Sequence, residues 1–224
     1  MATVAENIIS FYKSLQPPAK LPKGYSFLYP QQHAETIKLV EEFFHKFYND
    51  NKQRTIILGI NPGRFGAGMT GINFTAPRQL EIFCGIQHHF KNSSELSAEF
   101  IYEMIAAYGG VQKFYNKFLF SSICLLGLIK NGVNINYYDD KALLNAVTPF
   151  IVHSLQQQLQ LPVSRKRVFI IGGDKNLKFF EKLNNEHAFF EEVISLPHPR
   201  YIMQYRRKHI KDYINEYLSK LRQT

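Results

Sequence analysis

A chain of 224 residues, 45% apolar and 20% charged, is long enough to bury one full hydrophobic core and is neither disordered nor fibrous in composition. No apolar run approaches the roughly 20 residues needed to span a bilayer, and the opening MATVAENIISFYKSL lacks the blocks of a secretory signal. Lysine plus arginine number 27 against 18 acidic residues, a formal charge of +9, which suits a polyanionic partner such as nucleic acid without requiring one.

In chain order, the apolar spacing predicts a first helix over residues 6–15, then an extended arm at Pro17, Pro18 and Pro22. A second helix covers 31–48, with Ile37, Val40, Phe43, Phe44 and Phe47 on one face. Residues 55–60 read as a buried strand, followed by helices over 78–84 and 95–107. A second strand covers 118–125, and a long helix covers 140–159. A third strand at 167–171, a helix near 176–183 and a fourth strand at 192–196 follow. The last helix carries Ile210, Tyr213, Ile214, Tyr217, Leu218 and Leu221 at i, i+3, i+4 spacing. Four continuous apolar strands alternating with helices predict an α/β fold, with a four-stranded, mainly parallel sheet flanked by helices. The expected organisation is one domain over 1–224: an N-terminal helical extension, 1–50, leading into a catalytic core, 51–224. In such sheets ligands sit at the carboxyl ends of the strands. Cys84 and Cys124 lie in apolar stretches, as buried reduced thiols of a cytoplasmic protein do (nucleoid-associated, if the source is bacterial).

Two strand ends carry chemistry. After the first strand the chain reads GINPGRFGAGMTGINF, from Gly59 to Phe74. Residues 66–71 spell G-x-G-x-x-G, but the match lies six residues past the strand and no helix or distant acidic residue follows, so a dinucleotide site is disfavoured. Asn61-Pro62-Gly63 taken alone also suits an ordinary turn. After the last strand comes Leu196-Pro-His-Pro-Arg-Tyr, in which flanking prolines stiffen the backbone around His198. Arg206, Arg207 and Lys208 lie just beyond, either as a solvated face or as phosphate contacts.

The first segment resembles motif 1 of the SMUG-type glycosylases in the uracil-DNA glycosylase superfamily, roughly G-M-N-P-G-P-F-G-M-x-x-T-G-V-P-F. It aligns without gaps through Gly59, Asn61, Pro62, Gly63, Phe65, Gly66, Thr70, Gly71 and Phe74. Leu196-Pro-His-Pro199 resembles the second motif, built around His-Pro-Ser-Pro. The divergence is that of a side branch, SMUG2-like. The resemblance implies a monofunctional DNA glycosylase of base excision repair, with uracil-DNA glycosylase-like fold, no cofactor and no metal. It implies that Asn61 orients the attacking water and His198 bonds the base as negative charge develops. Gly63, Phe65, Ala67 and Phe74 would surround the base, with Phe74 stacked on it. Residues 200–207 would form the wedge that enters the duplex, and Arg200, Tyr201, Arg206, Arg207 and Lys208 would contact DNA. Two departures stand out. The family's middle motif carries an Asn that reads the base, where this chain has Ser122; and Arg200-Tyr201 replace the Ser-Pro of the second motif.

The chemistry is consistent with this. A base inside a duplex must be flipped out to be reached. Breaking its glycosidic bond leaves a positive sugar and a negative base, which fixed donors stabilise. An amide such as Asn61 does not titrate usefully but can hold a water. The short hydroxyl of Ser122 predicts activity on hypoxanthine or xanthine besides uracil. The expected partner is single- or double-stranded DNA, bound by a monomer away from membranes. A catalytically weak binder of single-stranded nucleic acid with the same fold is the second reading. A nucleotide-dependent oxidoreductase, resting on G-x-G-x-x-G alone, is the third.

Overall fold

The computed structural model describes residues 2–223. Helix α1 (Val4–Ser14) starts in a capping box: the Thr3 hydroxyl accepts the Glu6 N–H, and the Glu6 carboxylate accepts the Thr3 N–H. The proline-bearing arm follows, then β1 (Tyr25–Leu28), α2 (Ala34–Tyr48) and β2 (Arg54–Gly59). The glycine-rich loop contains the single turn α3 (Ala67–Thr70) and leads to α4 (Pro77–Ile82), α5 (Leu96–Tyr108) and α6 (Val111–Tyr115). Next come β3 (Phe118–Ser122), β4 (Gly127–Lys130), β5 (Val133–Ile135) and α7 (Lys141–Gln158). The chain closes with β6 (Val163–Ile171), α8 (Asp174–His187), β7 (Glu192–Leu196), α9 (Pro199–Tyr205) and α10 (Ile210–Leu221).

The main sheet has the order β3-β2-β6-β7, and all three pairings are parallel. This is the four-stranded sheet that the apolar runs predict. Ile56, Ile57 and Leu58 of β2 and Val168 to Ile171 of β6 are buried, as strands covered on both faces must be. The second strand is shorter than its apolar run. Strand pairing stops at Ser122, and residues beyond it turn to follow the chain leaving β2: Ile123 N–H bonds the Gly59 carbonyl and Cys124 N–H bonds that of Ile60.

A second sheet, antiparallel in the order β1-β4-β5, has no counterpart among the strands that the sequence predicts. Its strands are three or four residues long and partly exposed, so they leave no continuous apolar run. Helices α1 and α2 pack into the core. Ile8 and Phe11 of α1 and Val40 and Phe43 of α2 belong to the same buried cluster as the main sheet. The Tyr48 hydroxyl donates to the Phe118 carbonyl at 2.8 Å, tying α2 to β3.

At the amino end of β2, Arg54 is fully buried and fully satisfied. Its guanidinium makes two 2.9 Å bonds to the Asp50 carboxylate, and Nε donates to the Tyr115 carbonyl at 2.9 Å. Those bonds hold the Asp50 carboxyl below its ordinary range. This end of the sheet is structural; the opposite end is open.

Candidate active site

The carboxyl ends of β2, β3, β6 and β7 frame a cavity of about 440 Å³. Asn61, just past β2, is held by both ends of its amide. Nδ2 donates to the Ile135 carbonyl at 3.1 Å, and Oδ1 accepts the Tyr137 N–H at 3.2 Å. The loop supplying those groups is itself pinned: the Tyr137 hydroxyl donates to Asn176 Oδ1 at 2.7 Å, and Asn176 Nδ2 donates to the Ile171 carbonyl at the end of β6. One lone pair and one N–H of Asn61 remain for a water in the cavity.

Phe74, the expected stacking residue, is placed by a strained turn. Phe74 lines the cavity with φ at 56°, a left-handed conformation that bulky side chains rarely adopt. Buried Thr70 clamps this turn, donating to the Thr75 carbonyl at 2.6 Å and accepting the Ile72 N–H at 3.2 Å. The Phe74 ring leans on Phe120 with centroids 5.1 Å apart. It also lies so close to β2 that a Cβ on Gly59 would meet it at 2.8 Å. Gly59 is therefore required for the approach of the ring, not for backbone freedom.

His198 caps the amino end of α9. Its Nδ1 accepts the Arg200 N–H at 3.1 Å, so the ring proton resides on Nε2. Burial, and secondarily the Arg200 charge, push its pKa down from 6.5 to about 4. The imidazole is thus a neutral donor of fixed tautomer at physiological pH.

Gly63, Ala67 and Ser122, expected at the base, and Arg200 and Tyr201, expected on DNA, join Asn61, Phe74 and His198 around the cavity. Phe65 does not. Its ring is 55% exposed, covered on one side by the Arg64 guanidinium at 4.6 Å, and lies outside the lining. The tight turn at Gly63–Gly66 aims it outward, so Phe65 is not among the expected base contacts that the fold gathers at the cavity. Of residues 200–207, expected as the wedge, 200–205 lie in helix α9, which spans 199–205. A helix is possible because the proline at its first position sacrifices no hydrogen bond. Tyr201 and Tyr205 stand one turn apart at the mouth, 43% and 64% exposed, with ring centroids 5.7 Å apart. Arg206, Arg207 and Lys208 follow α9, exposed; no ion pair engages them among the described residues.

Among the lining residues absent from the sequence-based expectation, Asn73 and Glu95 bear most on the chemistry. Asn73 is buried beside Phe74, and its Oδ1 accepts the Ser122 hydroxyl proton at 2.7 Å. Ser122 therefore faces the cavity with its proton already engaged. The available signal is position 73 itself, where Asn stands in place of the Pro of the family motif. Glu95 precedes α5 and presses on the glycine-rich loop: a Cβ on Gly66 would lie 2.2 Å from its Oε1. Burial, opposed by the Arg200 charge, raises its pKa from 4.5 to about 7. Its side chain has no hydrogen-bonding partner among the described residues, and nothing in its sequence context marks it beyond a helix start. Gly172 and Gly173, just past β6, also line the cavity.

A fixed amide for water, a neutral imidazole donor and an aromatic face, gathered at the open end of a parallel sheet, define a hydrolase of N-glycosidic bonds: a DNA glycosylase. The chain belongs to the uracil-DNA glycosylase superfamily, whose family model matches residues 45–222. Within it the chain falls in a SMUG2-like branch. It is 45% identical to wild-type Pedobacter heparinus SMUG2, and its fold matches that crystal structure with a TM-score of 0.95 over 99% of this chain and 98% of that one. No curated protein sequence matches the chain. Among the described residues no helix is long and apolar enough to cross a membrane.

Proposed function

We propose that the protein is a monofunctional glycosylase that releases uracil and the deaminated purines hypoxanthine and xanthine from DNA, acting as a monomer. The observation that carries this reading is the pairing of Asn61 and His198 in one cavity, each locked in orientation by backbone hydrogen bonds. The flipped base stacks on Phe74. As the C1′–N bond breaks, its electron pair moves onto the base, where His198 Nε2–H donates to the developing anion. Asn61 holds the water whose oxygen bonds C1′, and the water's proton passes to solvent or to the departing base. Among the described residues no lysine lines the cavity, so no amine is poised there to form the imine that a lyase reaction needs. The exposed Tyr201 and Tyr205 stand at the mouth, suited to fill the gap left in the DNA, with Arg200, Arg206, Arg207 and Lys208 on phosphates.

The test is incubation with labelled oligonucleotides carrying uracil, hypoxanthine or xanthine, followed by alkaline cleavage of abasic sites. Release of uracil and at least one purine is expected. Binding of single-stranded DNA with no release of any base would replace this reading with that of a silent binding protein.

A further inference from the structure

We propose that Asn73 is the residue that reads the outer edge of the extruded base, with Ser122 as the positioning residue that holds its amide. This deepens the glycosylase reading above and rests on it. Asn73 is only 8% exposed, yet it lines the cavity, between the clamped turn at Thr70 and the stacking ring of Phe74. It cannot wander: Ser122 donates to Oδ1 at 2.7 Å, and Nδ2 donates to the Tyr12 hydroxyl at 3.4 Å. Ser122 is the last residue of β3, and its backbone is in parallel register with Gly59. Tyr12 is buried in α1, and burial holds its phenol protonated far above its ordinary range.

An amide offers two lone pairs and two N–H groups. The protein engages one of each. One acceptor site and one donor remain at the Asn73 amide, side by side in a cavity that also holds His198.

Such a pair is complementary to a ring N–H adjacent to a carbonyl. Uracil presents that edge at N3–H and O4. Hypoxanthine and xanthine present it at N1–H and O6. Deamination creates that edge in uracil and hypoxanthine, since cytosine and adenine carry a bare ring nitrogen beside an amino group, the reverse polarity; xanthine shares the edge with its parent guanine. With Ser122 donating to Oδ1 and Nδ2 donating to Tyr12, the Asn73 amide stands in the polarity that suits the deaminated form. One reader then serves a pyrimidine and two purines, because the edge chemistry is shared while the ring sizes differ. Ser122 contributes by orienting the amide, and its own hydroxyl has no proton left to offer the base.

The test is single-turnover excision by wild type, Asn73→Ala and Ser122→Ala on uracil and on 2-pyrimidinone, a base lacking both the N3–H and the O4. Affinity for DNA carrying an abasic-site analogue serves as the control for folding, since that ligand has no base to read. Asn73→Ala should slow uracil release by about 10²-fold, the order expected when a site can no longer pair the polar edge of its substrate. It should slow 2-pyrimidinone release far less, and leave abasic-analogue affinity unchanged. Ser122→Ala should show the same pattern with a smaller effect. Equal slowing on both bases, or no slowing on uracil, would overturn the assignment. An Asn73→Ala protein that binds the abasic analogue poorly as well would identify the residue as structural and overturn it too. Absence of uracil release by wild type would instead sink the glycosylase reading on which this one stands.

Discussion

At the scale of single residues, the site separates two tasks that a titrating group would confuse. In the proposed mechanism the leaving base needs a donor, and His198 would supply it without carrying charge into a buried cavity. Protonation of the ring would sacrifice the Arg200 N–H bond to Nδ1, and burial opposes it, so the neutral form persists down to about pH 4. Excision by wild type should therefore show no acid limb near pH 6.5 arising from this histidine. His198→Ala should lower the single-turnover rate by roughly 10²–10³-fold, the scale of removing one anion-stabilising donor. A rate within about a factor of three of wild type would exclude it from the chemistry, given that scale. Asn61→Ala should cost about 10²-fold through impaired water positioning, with DNA affinity little changed because phosphate contacts dominate binding. Titration calorimetry beside single-turnover rates separates the two effects.

Glu95 has the opposite perturbation, and its consequence for stability has a definite sign. The folded chain holds the Glu95 proton up to about pH 7, whereas an unfolded chain releases it near the ordinary value of 4.5. Between those values the folded state binds more protons, so raising the pH through this window destabilises the fold. Glu95→Gln removes that slope. The melting temperature of the variant relative to wild type should therefore rise between pH 4.5 and about pH 7 and level off above. A difference that does not change with pH would mean that the carboxyl is solvated and unperturbed.

At the scale of elements, the strand ends are where sequence and geometry bind each other most tightly. Gly59 closes β2 in a position where any side chain meets the Phe74 ring, and that ring is already held in a left-handed backbone conformation. Gly59→Ala should displace Phe74 and lower base release. Its stability cost should be about 1–3 kcal/mol, the usual range for overpacking a filled site. Chemical denaturation and excision rates together check this; an unchanged rate would show that Phe74 tolerates displacement. Helix α9 likewise joins sequence to site geometry. His198 keeps the extended backbone that its flanking prolines suggest, and Pro199 at the first helical position starts a helix directly after it. That helix fixes the tautomer of His198 through its own Arg200 N–H and sets Tyr201 and Tyr205 on one face.

At the scale of the whole molecule, the charge of +9 becomes useful only where it is concentrated beside the cavity. Arg206, Arg207 and Lys208 lie just past α9 and the mouth, exposed and without an acidic partner among the described residues. Replacing Arg206 or Arg207 by Gln should weaken binding on every DNA sequence, and should reduce the slope of log K against log salt by about 0.9 for each phosphate no longer neutralised. Unchanged slopes in both variants would make them a solvated face. The amino-terminal helices also act at this scale. Tyr12 of α1 reaches the Asn73 amide, and Tyr48 of α2 holds β3, so the first fifty residues support the site through the core.

By itself the sequence determined the parallel sheet, because strands buried on both faces leave unbroken apolar runs that no loop imitates. Its motif resemblance also pointed to Asn61, Gly63, Ala67, Phe74, Ser122 and His198, which line the cavity, because they follow strands in a recognisable order. What it could not reveal depends on contacts between segments far apart in the chain. The small antiparallel sheet is built from strands too short and too exposed to show a period. Phe65 has the composition of a base contact, and only the direction of its turn sends it to solvent. Asn73 and Ser122 are 49 residues apart, and the hydrogen bond that makes them one unit exists only once β3 lies beside β2. Glu95 owes its raised pKa to being pressed against the glycine-rich loop, a desolvation that no local pattern encodes. Side-chain identity is local, whereas orientation, burial and partner are properties of the packed chain.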